Sequence, residues 1–207
     1  MTFLLVFILG FSIAAVGIIA PGMLNMTIAK ISIDENKKEA LKFALGSVII
    51  VFFQSFIGVF FAKLLEQNPM ISSTLKRFGV LVFLLLTVFF IFKGINQKKQ
   101  KIEVKLEKKK NRFWYGVALS SLNMFAIPYY AFVSLTLATN DLFSFQIAQE
   151  LLFAIAAALG TYIIFYLYAV LFKKVEHKVA FLINNINFFI AAVTGLVALS
   201  SLYKMLV

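Results

Sequence analysis

The 207-residue chain is expected to be an all-α polytopic membrane protein, with six transmembrane helices in two inverted three-helix repeats. Its composition is 62% hydrophobic with 25 Phe and a mean hydropathy of +0.95, more apolar surface than a soluble domain of this size can bury. Long stretches almost free of charge recur along it, and most of the 20 Lys and Arg fall in alternate gaps between them. Together these describe a chain whose solvent is lipid.

Crossing the hydrocarbon takes roughly 20 apolar residues in a helix. The first candidate is 2–29, with Pro21-Gly22 somewhat past its middle. The second, 43–62, carries Gln54 and Ser55 near its centre. A third, 78–92, is short, but Lys76, Arg77 and Lys93 bracket it and their stems can snorkel to the headgroups. The fourth, 113–138, holds Pro128, the fifth is 145–172 and the sixth 179–203. None has the polar face of a soluble bundle helix, and the alternation of barrel strands is absent. The first stretch lacks a basic start and is too long for a signal h-region, so it is expected to stay as the first span.

Lysine and arginine set the orientation. Lys30, Lys37, Lys38 and Lys42, then the run from Lys93 to Arg112, then Lys173, Lys174 and Lys178 mark the first, third and fifth connections as cytoplasmic. Both termini then lie outside, and a bacterial inner membrane is the expected location. The net charge of +11 is explained by this topology and by anionic lipids at the cytoplasmic face, with no nucleic-acid partner implied. The chain divides into a first three-helix half (1–95), a basic cytoplasmic linker (96–112) that reads as a hinge, and a second half (113–207). Absence of cysteine removes disulfides and thiolate metal sites.

Three spans per half put the second half in the membrane upside down, so any repeat is inverted. Pro21 and Pro128 occupy the first span of each half, the placement expected of a transporter with paired broken helices. Proline has no N–H, so Pro21 frees the carbonyl of Gly17 and Pro128 that of Met124. Such irregular backbone survives in hydrocarbon only where protein buries it or a watery cavity meets it. Asn25 and Asn123, each near its proline, are therefore expected to line one central cavity. Kinks packed against lipid are the plainer alternative.

The segment APGMLNMTIAK, a charged connection and then EALKFALGSVI, with a glycine at Gly46, resembles the first two spans of the LysE family, which includes the RhtB-type amino-acid exporters. Lys76, Gly79 and Gly94 in the third span stand at matching spacing. FWYGVALSSLN resembles the family's F-x-x-G followed by Asn-Pro and places Phe113, Gly116 and Asn123, although Met124 follows where the family has proline. Met23 follows Pro21-Gly22 where a second Pro or a small residue is frequent, and the fifth span lacks the family's acidic residue. The resemblance implies a secondary transporter that exports amino acids or similar small polar solutes.

Charges inside the spans are few, as their cost demands. Glu150, about a turn into the fifth span, is the one acid in reach of coupling, its plain alternative being an interfacial residue favoured by a helix N-terminus. Candidates for binding the solute are Pro21, Gly22, Asn25, Gln54, Asn123, Pro128, Tyr129 and Tyr162. Tyr162 and Tyr166 share a helical face and suit an ammonium or an interhelical hydrogen bond. His177 lies among lysines, and no metal cluster, cofactor motif or nucleophile–base pair points to an enzyme. In alternating access the halves would rock about the cavity. The rival reading is a non-transporting scaffold or accessory subunit, packed solid at its centre. A homo-oligomer is compatible with either.

Overall fold

The computed structural model describes residues 2–68, 84–85, 87–89, 91–92, 95 and 111–206; beyond Leu171 it describes the side-chain environments of Phe188, Ala191, Ala192, Gly195, Leu196, Leu199 and Tyr203. All regular structure among these residues is helical: α1 (Phe3–Ile18), α2 (Met23–Asp34), α3 (Lys37–Gln67), α4 (Arg112–Ser121), α5 (Ala126–Thr139) and α6 (Ile147–Leu206). Two compact units result, Met1–Leu64 with Glu103–Glu176, and Leu65–Ile102 with His177–Val207. In the second unit a Cβ on Gly195 would sit 3.4 Å from the Thr87 methyl, an ordinary contact.

Two helical stretches among the described residues, Lys37–Gln67 and Ile147–Leu171, are long and apolar enough to cross a membrane. Each of the pairs α1–α2 and α4–α5 also passes as one span, bent by 77° and 64° respectively at a short break. The expected third span is helical at those of its residues that are described. Residues 173–178, expected as a connection, are helical and continue α6. The basic linker lies outside the described residues up to Lys110.

Local chemistry accounts for the boundaries. Asn36 accepts a hydrogen bond from the Glu39 N–H at 3.0 Å and so caps α3, while Lys42 pairs with Glu39 at 2.7 Å. Asn111 caps α4 through the Phe113 N–H at 3.1 Å. After α5, Asp141 takes φ 55°, and the Leu142 and Asp141 N–H groups turn back to the Leu137 and Ala138 carbonyls in a Schellman motif.

α3 buries mostly small residues, together with Phe43 and Gln54. In α3 the buried stripe includes Ala40, Ala44, Ser47, Val51, Ser55 and Val59, whereas Ile49, Phe53, Phe60 and Phe61 are exposed to lipid. Such a stripe lets backbones approach, which is how helices associate when lipid removes the hydrophobic drive. A Cβ on Gly46 would overlap the Phe113 carbonyl oxygen, and one on Gly116 the Phe43 carbonyl oxygen. Ser47 Oγ donates to Gly116 O at 3.2 Å and Ser120 Oγ to Ser47 O at 3.1 Å, closing the α3–α4 crossing. α1 and α6 cross in the same manner, with Gly160 against the Phe11 carbonyl and Gly10 against that of Phe153.

Candidate functional site

The first break spans Ile19 to Gly22. Pro21 is buried and offers no N–H; Gly22 is extended (φ −110°, ψ −179°) and starts α2 by accepting from the Met26 N–H at 2.9 Å. The carbonyls left by α1 find side chains instead. Asn25, 1% exposed, donates from Nδ2 to Ile18 O at 2.5 Å and to Ala20 O at 2.8 Å. Tyr168 Oη donates to Ile19 O at 2.9 Å, and Tyr129 Oη to Ile13 O at 2.9 Å. Among the described residues, none of the break's hydrogen bonds ends on the carbonyl of Gly17.

The second break lies upstream of the position expected from Pro128. α4 stops at Ser121, residues 122–125 are irregular, and Pro128 sits in the first turn of α5. A proline in a first turn displaces no helical hydrogen bond, so it follows a break without making one. Gln54 of α3, buried, donates from Nε2 to Ser120 O at 3.0 Å and to Asn123 O at 3.1 Å. Each break is thus closed by one amide bridging two carbonyls, Asn25 from within its own span and Gln54 from a neighbouring helix.

A cavity of about 250 Å³ lies where the two breaks meet. Gly17 and Ile18 approach it from α1, Asn123, Phe125 and Ala126 from the second break, and Tyr129 and Tyr130 from α5. Val51 and Thr161 complete the polar and apolar lining together with Ala14. Among the described residues, no Asp, Glu, His, Lys or Arg lines it. Thr161 is 1% exposed; its Oγ1 stands near the Tyr130 hydroxyl but has no partner at hydrogen-bonding distance among the described residues.

Of the residues singled out from the sequence, Asn123 and Tyr129 line the cavity. Asn25 and Gln54 do not, because their amides are engaged in holding the breaks. Gly22 and Pro128 are exposed, and Tyr162 is half-buried against the cluster around Phe43 and Phe165. Glu150, expected as the one acid in reach of coupling, is 3% exposed and pairs with Lys63 at 2.8 Å. Arg112, also 3% exposed, forks onto Glu35 and lies 5.7 Å above the Tyr115 ring. Neither ion pair reaches the cavity lining.

Thr161, Tyr130 and Gly17 were not singled out as binding residues. The stripe Phe153, Ala157, Thr161, Phe165, buried throughout at a spacing of four, marks the inward face of α6 and was the signal available for Thr161. A family model described as LysE type translocator matches residues 15–205. No curated protein and no solved structure matches the chain.

Proposed function

Because the chain belongs to the LysE type translocator family, we propose that this membrane transporter exports amino acids or similar small polar solutes by alternating access. One observation supports the reading above others: a largely apolar cavity with a few polar groups, Asn123, Thr161 and the Tyr129 and Tyr130 side chains, opens where two broken spans meet, the arrangement in which transporters hold their solutes. Asn123 and Tyr129 would contact the solute, with Asn25, Gln54 and the Pro21 and Pro128 segments shaping the backbone around it, and Gly22 and Tyr162 as outlying candidates. The test is uptake and efflux in proteoliposomes across a panel of amino acids and cations. Flux of none of them by monodisperse protein would favour a scaffold.

The proposed topology places the lysine-rich connections in the cytoplasm of a bacterial inner membrane and both ends outside. Reporters fused after Lys99 and after Val207 are then expected on opposite sides. Both on one side would overturn it.

Glu150 is the proposed coupling residue. Glu150→Gln is expected to lower flux driven by a pH gradient much more than it lowers protein abundance. Glutamine keeps an acceptor for Lys63 Nζ, and Lys63, 31% exposed, can carry its charge to water, so abundance is expected to fall less than flux. Unchanged gradient-driven flux would reduce Glu150 to a structural ion pair.

A further inference from the structure

Among the described residues the cavity lining contains no Asp, Glu, Lys or Arg, and the Lys63–Glu150 and Arg112–Glu35 pairs are each internally matched. A solute with an unbalanced charge would lose its water there without gaining a counter-charge, at a cost of several kcal/mol. A zwitterion brings both charges itself and needs only dipoles of the right sense at its two ends.

Those dipoles are present and oriented. On one side stands the last turn of α1, the negative end of its helix dipole, where Pro21 leaves the Gly17 carbonyl without its helical donor. Thr161 Oγ1 adds a buried, unpartnered acceptor. On another side is the first turn of α5, a 14-residue helix whose N-cap Phe125 makes no side-chain cap. The negative end of α4 beside it is taken up by the Gln54 amide; at the start of α5 the Ala126 N–H turns to Asn123 O at 3.3 Å and Pro128 has none, which leaves the Phe125 and Ile127 N–H groups there as the candidate donors to an anion.

Building on the amino-acid transport reading, we propose that the cavity selects net-neutral zwitterionic amino acids, with the ammonium on Thr161 Oγ1 and the Gly17 carbonyl and the carboxylate at the N-terminus of α5. Ala14, Val51 and Ala126 form walls suited to a small uncharged side chain. Thr161 and Gly17 become solute-contacting positions, and the charge of the side chain becomes the criterion of selection.

The experiment is counterflow of radiolabelled valine in proteoliposomes, with alanine, lysine, glutamate, propylamine and propionate as competitors. Alanine is expected to compete, while lysine and glutamate, with a surplus charge, and the two half-molecules, with one pole missing, do not. Thr161→Val keeps the shape and removes the hydroxyl; it is expected to raise the half-saturating valine concentration about 10- to 100-fold, the loss of one hydrogen bond to a charged group. Thr161→Ser should restore it, which separates contact from misfolding. Lysine exchanging as well as valine would overturn the selection while leaving transport intact. Equal competition by propylamine would overturn the placing of the carboxylate, and an unchanged Thr161→Val would overturn the placing of the ammonium. Exchange of no solute by folded protein would remove the transport reading along with it.

Discussion

Gly46→Val is expected to yield little or no folded protein. The first atom of the new side chain would overlap the Phe113 carbonyl oxygen, a backbone atom that cannot rotate away. Relief would require α3 and α4 to separate, yet Ser47 and Ser120 hold them together through each other's neighbouring carbonyls. Overpacking ordinarily costs about 1–3 kcal/mol, and a clash of backbone on both helices belongs at or above the top of that range. Size-exclusion chromatography of the purified variant beside Gly22→Ala makes the comparison. Gly22 is a fair control, since a Cβ there meets nothing nearer than Ala20 O at 4.0 Å and its φ suits any residue. A monodisperse valine variant at parental yield would show that the crossing is looser than described.

Asn25→Ala is expected to abolish counterflow exchange and to lower the melting temperature. The carbonyls of Ile18 and Ala20 lose the amide that bridges them. A carbonyl left bare costs up to about 1–3 kcal/mol when buried; Ile18 is half-buried and Ala20 exposed, so the loss lies toward the lower end and is still a sizeable part of a typical folding stability of about 5–15 kcal/mol. The turn that brings Gly17 to the cavity would relax with it. Detergent-solubilised variant and parent should be compared by thermal unfolding, and the same preparations by exchange in liposomes. Parental values in both would mean that water or lipid replaces the amide without consequence.

Sequence alone carried the membrane character and the break at Pro21, because both depend on local chemistry: a run of apolar side chains and a missing N–H. It placed the second break too late. Pro128 drew attention as the visible breaker, although the chain stops at Ser121 and the proline merely begins the next helix. Gln54 was noticed as a polar residue in mid-span, but its partners lie 66 and 69 positions away, and no spacing rule reaches that far. In α6 the tyrosine pair attracted the reading to Tyr162, while Thr161 is the residue at the cavity. A helix apolar on every side has no polar stripe to fix its rotation, and size does not decide it either, since Phe153 and Phe165 are buried beside Ala157 and Thr161.

The glycine crossings bear on how such a molecule can move. α3 belongs to the first half of the sequence and α4 to the second, yet backbone lies on backbone where they meet; α1 and α6 are joined across the halves in the same way. Among the described residues, these seams between the sequence halves bring backbone onto backbone. Shearing along them would open carbonyls and serines that now satisfy one another, whereas displacing the α3–α4 pair against the α1–α6 pair leaves both intact. The bodies expected to exchange places in the proposed transport cycle are then couples drawn one from each half, rather than the halves themselves.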